Sequence, residues 1–383
     1  MRTAVFGITA FVAAALLFLV QPMAAKMALP VLGGSASVWT TSMLFFQVGL
    51  LAGYVWVHLV TRRFAPRGQV AAHLALLAAA ALLLPPGLTR AGLPPVDAFP
   101  APWLLLALAV GFGLPYVAVA ATGPLVQRWF ASTDDPRAHD PYFLYAASNA
   151  GSFAGLLLYP FLIEPRLPAR ALGAAGDPTS GLSQAGAWSA AYGALALLLT
   201  GCAGLLLASR RSEAADVAVT PRPALRRRLL WVALALFPSS AALGTTQHLT
   251  TDLAAVPLLW IVPLAVYLLT FVVAFAPRLR VPRRAAAVAY GMLAVATAVS
   301  FHEPVRAFGL PILIIPVAAL FALGVLLHGR LAELRPGPDH LTEYYLAIAL
   351  GGALGGVFNA IVAPALFATI AEYPIALALA AFL

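Results

Sequence analysis

Long apolar runs recur along this chain, each of a length that lets a helix cross a lipid bilayer. At 1.5 Å per residue, about 18 to 20 residues cover a hydrocarbon core of roughly 30 Å. Charged residues occupy only 10% of the 383 positions and hydrophobic ones 62%, whereas about a quarter of an ordinary soluble domain is charged. A water-facing surface cannot be built from that composition, so the lipid bilayer is the chain's first partner. A membrane β-barrel would alternate apolar and polar residues in short segments, and these runs do not alternate. The expected class is an all-α polytopic membrane protein.

Spanning segments are predicted over 4–22, 36–60, 70–87, 102–121, 141–163, 185–208, 229–247, 254–276, 285–301, 307–328, 341–366 and, incompletely, 373–383, which makes eleven to twelve transmembrane helices. The first run follows Arg2 as a secretory signal would, but it is long enough to span, and its crossing is needed to keep the later basic loops on one side. The longest polar break, 209–228, carries arginines at 210, 211, 222, 226, 227 and 228. With the N-terminus inside, 18 of the 23 Lys and Arg residues fall in inside loops, the bias that marks the cytoplasmic side of a helical membrane protein. Residues 1–208 then form an N-terminal six-helix half, 209–228 a basic cytoplasmic linker, and 229–383 a C-terminal half whose last helix is incomplete. Six crossings and up to six more is the arithmetic of a six-plus-six transporter fold. The formal charge of +9 sits in short loops rather than along one amphipathic surface, which argues against a nucleic-acid partner.

Polar residues inside apolar segments need a partner or a wet cavity, so they nominate a substrate site. Gln47, Tyr54 and His58 are spaced by seven and four and share one helix face. Between Lys26 and Thr40, Pro30 and Gly33-Gly34 predict a break, with Ser35 or Ser37 capping the next helix, read either as a ligand-facing turn or as an external loop with interfacial Trp39. Pro115 and Gly123-Pro124 predict a kink in the fourth segment. Asp140 is placed to cap the fifth, where Asn149 serves interhelical bonding or substrate contact. Trp188 suits an interface anchor, and Glu164 a solvated carboxylate. Ser239, Ser240, Thr245, Thr246, Gln247, His248, Thr250, Thr251 and Asp252 line the exit of the seventh segment, as a hydrated external loop or as an entrance where Asp252 supplies charge and His248 switches protonation. Glu343 caps or pairs at the start of the eleventh segment or, placed inside the bundle, couples to a cation. Two GxxxG pairs, Gly351 with Gly355 and Gly352 with Gly356, predict close helix packing, and Asn359 lies deeper in the same segment.

No chemistry-bearing constellation accompanies these residues. Cys202 is a lone cysteine in an apolar run. His302, Glu303 and Arg306 lack metal-ligand spacing, and there is no HExxH motif. No catalytic, cofactor or metal residue is assigned.

The stretches KMALPVLGGSASVWTTSMLFFQVGLLAGYVWVH, DPYFLYAASNAGSFAGLLLYPFLIEP, PSSAALGTTQHLTTDLAAVPLLWIVPLAVYLLTF and HGRLAELRPGPDHLTEYYLAIALGGALGGVFNA, with EYP beyond, resemble the membrane region of bacterial fused major-facilitator/spermidine-synthase-like proteins. The resemblance implies a major-facilitator-like membrane part and, in fused members, a cytosolic aminopropyltransferase-like domain. No Gly-rich strand-to-helix turn with a following acidic residue occurs here, so the synthase-like domain is expected to be absent.

Three functions follow from this reading. The first is a multipass transporter handling a small cationic metabolite such as a polyamine. The second is a membrane scaffold or sensor that recruits a soluble spermidine-synthase-like partner. A membrane-embedded enzyme comes last, for want of a nucleophile and base.

Overall fold

The computed structural model describes residues 2–33, 36–92, 94, 100–169, 182–209, 221–252, 257–276, 281–300, 310–367 and 372–383. Every regular element there is helical: α1 (Arg2–Leu32), α2 (Ala36–Arg63), α3 (Pro66–Ala81), α4 (Pro100–Leu108), α5 (Leu114–Ala131), α6 (Tyr142–Leu158), α7 (Glu164–Arg166), α8 (Gln184–Leu207), α9 (Leu225–Asp252), α10 (Pro257–Phe275), α11 (Arg283–Ser300), α12 (Leu310–Glu333), α13 (Leu341–Val357), α14 (Ala363–Leu366) and α15 (Glu372–Ala380). Helices thus occur at each predicted segment. Among the described residues, however, eight are long and apolar enough to cross a membrane, with a shorter apolar helix at Ile261–Phe275. Helix α3 has 16 residues, about 24 Å at 1.5 Å each, which is short of the hydrocarbon thickness.

The chain forms two compact units, one of Met1–Pro223 with Pro336–Leu346, the other of Ala224–Arg335 with Ala347–Leu383. In the first, α1 is the central element and packs on α6, α5, α8 and α2. Phe6 of α1 meets Phe130 of α5 edge-on at 5.3 Å. Trp188 of α8 is buried and donates from Nε1 to the Leu16 carbonyl at 3.0 Å, so it is a helix-to-helix tie and not the expected interface anchor. Trp39 is buried as well, against its expected interfacial place. In the second unit α12 packs on α9, α10 and α11.

One packing device occurs in both units. Small residues let helix backbones approach where lipid supplies no hydrophobic drive between helices. A Cβ on Gly151 would fall 2.9 Å from Phe11 Cα, and one on Gly155 2.8 Å from Ala15 Cα, so α6 lies directly on α1. In the other unit a Cβ on Gly351 would meet Ala235 Cβ at 2.8 Å, and one on Gly355 would meet the Leu236 carbonyl at 2.9 Å, so α13 lies on α9 in the same way. Gly351 and Gly355 follow Gly151 and Gly155 by 200 residues. Of the two predicted GxxxG pairs, Gly351 with Gly355 makes the close approach, while a Cβ on Gly352 would meet nothing within 4 Å.

Among the described residues three π-helical turns interrupt the long helices, at Ala109–Gly113, Tyr159–Ile163 and Phe358–Val362. Each ends two residues before a proline, at Pro115, Pro165 and Pro364. A proline ring clashes with the carbonyl four residues earlier, and in all three cases that carbonyl lies inside the widened turn. The predicted interruption of the fourth segment therefore falls at Ala109–Gly113, and the chain stays helical through Gly123 and Pro124. The predicted break after Lys26 moves similarly: α1 continues through Pro30 to Leu32 and ends at Gly33, whose φ of 74° is a left-handed value suited to glycine.

Candidate functional site

In the first unit the face shared by Gln47, Tyr54 and His58 meets the start of α13. The Tyr54 ring lies 6.5 Å from that of Tyr345 at 69°. His58 Nδ1 is 3.2 Å from Thr342 Oγ1, and Gln47 is half-buried two turns back along α2. Tyr345 is the centre of a tyrosine cluster. Tyr145 stacks on it at 4.9 Å and 24°, Tyr142 meets it edge-on at 6.4 Å, and Tyr344 adjoins it at 5.7 Å. Its hydroxyl donates to Gln127 Oε1. The Tyr142 hydroxyl donates to the Pro336 carbonyl at 2.7 Å, and Arg128 donates to that of Pro338 at 3.1 Å. These bonds anchor the 336–346 segment to α5 and α6.

Glu343 stands at the start of α13 with Oε2 3.5 Å from His340 Nδ1. That placement matches capping or pairing and puts its carboxylate on the first turn, away from the interior of the helix. Asn149 follows Tyr145 by four residues and precedes Ser152 by three, so the three line one buried face of α6. Asn149 is 7% exposed, and its Nδ2 has no hydrogen-bond partner among the described residues.

In the second unit the polar run of the seventh segment is helix throughout. Helix α9 extends to Asp252, and Ser239, Ser240, Thr245, Thr246 and His248 are all buried, which overturns the hydrated-loop reading for them. Ser239 Oγ donates to the Gly352 carbonyl at 3.1 Å, and Thr245 Oγ1 to Tyr373 Oη at 3.0 Å. The His248 ring stacks on Tyr373 at 6.1 Å. Asn359 lies in the Phe358–Val362 π-turn, 2% exposed, and donates from Nδ2 to Ser240 Oγ at 2.8 Å and to the Gly355 carbonyl at 2.9 Å. Asp252 is the last residue of α9; its side chain, like His302, Glu303 and Arg306, lies outside the described residues.

Several polar residues were not legible as partners. Glu164, read as a solvated carboxylate, takes Lys26 Nζ at 2.6 Å. His328, buried on α12, hydrogen-bonds Thr270 Oγ1 at 2.9 Å and stacks on Phe271 at 3.6 Å. Cys202 is buried with Sγ 3.2 Å from Thr9 Oγ1. The tyrosine cluster was foreshadowed only by the paired rings in YFLY and EYY, which say nothing of which rings meet. Among the described residues no three His, Cys, Asp or Glu side chains are grouped as a metal site would require. What the two sets of residues offer chemically is hydrogen bonding lined by aromatic rings, by amides and hydroxyls in both and by Glu343 and Arg128 in the first.

No protein-family model matches the chain, and no curated protein matches it. Solved structures do. The xylose transporter XylE from E. coli, in a partially occluded inward-open conformation, aligns with a TM-score of 0.58 at 12% identity over 100% of this chain and 98% of that one. Its inward-open form aligns with a TM-score of 0.58 at 13% identity, over 100% and 94%. XylE bound to 6-bromo-6-deoxy-D-glucose, described as a major facilitator superfamily proton:xylose symporter, aligns with a TM-score of 0.55 at 15% identity, over 100% and 95%. The chain therefore has the major facilitator fold. The spermidine-synthase-like part of the resemblance has no counterpart among these matches.

Proposed function

We propose that the chain is a multipass transporter of the major facilitator type in a bacterial inner membrane, carrying a small polar solute. The observation that supports this most is the likeness in fold along the whole of both chains, together with buried, uncharged polar groups on α2, α6 and α9 and in the Phe358–Val362 turn. The compared structures are of a xylose transporter and proton:xylose symporter; that activity belongs to XylE and makes solute flux the property to measure here. Residues 1–208 and 229–383 are proposed as two six-helix halves joined by 209–228, with the N-terminus and the linker in the cytoplasm. This orientation rests on the placement of the basic residues.

Gln47, Tyr54, Asn149, His248, Asp252, Glu343 and Asn359 are proposed to contact the solute along its path. Asn149 and Asn359 have the firmest support, because each is buried with an amide atom lacking a partner among the described residues. A cationic metabolite draws support only from Asp252 and Glu343, and Glu343 already faces His340. The scaffold reading, with a soluble synthase-like partner, rests on sequence resemblance alone, and no feature of either unit favours it over transport. Purified protein reconstituted into liposomes is expected to exchange at least one solute from a panel of sugars, polyols, amino acids and polyamines. Failure to move any of them above empty liposomes would sink the transport reading.

A further inference from the structure

Helix α11 begins with two consecutive arginines, Arg283 and Arg284, both exposed. Neither has an ion-pair partner among the described residues. Their own helix gains nothing from them, because the first turn of a helix carries a partial positive charge that disfavours a cation. The rest of the second unit adds to the excess. Helix α9 starts with the exposed Arg226 and Arg227, and Arg227 donates to the Leu334 carbonyl at 2.9 Å, which brings the start of α9 to the end of α12. Helix α11 leads into α12 through residues 301–309 and packs along it, as antiparallel neighbours do, so its start comes to that end as well. The described carboxylate there is that of Glu333.

Beyond the arginines α11 turns an apolar face outward. Val288, Met292, Val295 and Val299 are 61%, 65%, 65% and 48% exposed, and their spacing of four, three and four residues makes them one stripe. Arg284 precedes Val288 by four residues and heads that stripe. On the other side of the helix Ala286, Tyr290 and Thr297 are buried, and the Tyr290 hydroxyl donates to the Leu377 carbonyl of α15. From Val288 to Val299 the stripe runs about 16 Å, close to half of a hydrocarbon core of roughly 30 Å. Positive charge at the head and apolar surface over the depth of one leaflet complement an anionic phospholipid. A soluble polyanion would meet the arginines and leave the stripe unused. A zwitterionic headgroup would bring its own ammonium against Arg283 and Arg284.

We propose that this face of α11 binds an anionic phospholipid, with the phosphodiester at Arg283 and Arg284 and an acyl chain along the stripe. A basic residue at a membrane surface favours anionic lipid by roughly fivefold, and two together by roughly thirtyfold. The site needs no solute to be carried, so it stands or falls apart from the transport reading.

The test titrates the purified full chain in detergent with phosphatidylglycerol and with phosphatidylcholine of the same acyl chains, reading bound lipid by native mass spectrometry. Wild type is expected to bind phosphatidylglycerol at least about tenfold more tightly. The double variant Arg283→Gln, Arg284→Gln should lose most of that preference with phosphatidylcholine binding unchanged, and Arg283→Lys, Arg284→Lys should keep it. If the first double variant does not fold, Arg284→Gln alone is read in the same way. Equal binding of the two lipids by wild type, or a preference that survives the glutamine substitutions, overturns the proposal. So does an equal loss in Arg62→Gln, Arg63→Gln, which would mean that net charge alone decides. Displacement of phosphatidylglycerol by inorganic phosphate would show that a free anion suffices, and would overturn the lipid site as well.

Discussion

Gly155 lies so close to Ala15 that a Cβ added there would fall 2.8 Å from the Ala15 Cα and closer still to its carbonyl oxygen. Backbone cannot give way as the end of a flexible side chain can. Gly155→Ala is therefore expected to push α6 off α1 and to destabilise the protein by about 1–3 kcal/mol, the usual cost of overpacking. Gly351→Ala should do the same to α13 on α9, whereas Gly352→Ala, with open space at its Cβ, should be tolerated. Melting midpoints in detergent check this ordering; a Gly352→Ala midpoint as low as that of Gly155→Ala would refute it.

The extent to which this arrangement was legible differs from feature to feature. Apolar run length located the helices because each span has to satisfy its own backbone within the bilayer. It did not say that the polar run from Ser239 to His248 stays helical, because loop and buried helix both suit serines and threonines. Burial decided between them, and burial is a tertiary property. Gly351 and Gly355 were visible as a packing motif, yet Gly352 and Gly356 made an equal pattern on the adjacent face. Tyr345 with Gln127 and Lys26 with Glu164 join residues more than a hundred positions apart, and nothing local encodes such pairs. The π-turns were partly legible: Pro115 predicted one interruption while Pro165 and Pro364 carried no expectation, and a proline predicts strain in the preceding turn without saying how the backbone takes it up. Other helical prolines here, such as Pro22 and Pro263, sit in unbroken α-helix.

Tyr345 and Gln127 permit a double-mutant cycle. Removing the hydroxyl in Tyr345→Phe leaves Gln127 Oε1 without its donor in a buried place, and the reverse holds for Gln127→Leu. Each single change is expected to cost about 1–2 kcal/mol. The double variant should cost less than their sum, with a coupling of about 0.5–1.5 kcal/mol, the range measured for hydrogen bonds between membrane helices. Additive single costs would mean that the bond contributes nothing.

Lys26 and Glu164 are joined at 2.6 Å, but their side chains are 41% and 30% exposed. Water and salt screen such a pair, so Lys26→Met is expected to change stability by at most about 1 kcal/mol. Exchanging the charges in a Lys26→Glu, Glu164→Lys double variant should restore most of any loss. A large loss in either single variant, persisting in high salt, would show that the pair has a role beyond surface electrostatics.

The proposed orientation can be read with thiol labelling, since Cys202 is the chain's single cysteine. In a Cys202→Ala background, Ser132→Cys follows α5 and Thr89→Cys precedes α4, and both positions are exposed. An impermeant maleimide added outside spheroplasts should label Thr89→Cys alone, and Ser132→Cys should react only in inverted membrane vesicles. Labelling with the two sides exchanged would invert the whole assignment of inside and outside loops.

Pro364 tests whether the π-turn that carries Asn359 is imposed by the proline. The clash of its ring with the carbonyl of residue 360 falls within the Phe358–Val362 turn, and Pro364 lacks the N–H that would close an α-helical bond there. Pro364→Ala removes the clash and supplies the donor, so the turn is expected to tighten to α-helix. The native protein then gives up stability to keep the wider turn, and the variant should melt higher, by an amount within the ~3 kcal/mol that a proline costs in a helix interior. Tightening by one residue would also rotate Asn359 by about 100° around the helix axis, breaking its 2.8 Å bond to Ser240. A variant that melts higher but carries its solute less well would tie the widened turn to function. One that melts lower would mean that the turn is held open by its surroundings and that the proline merely fits it.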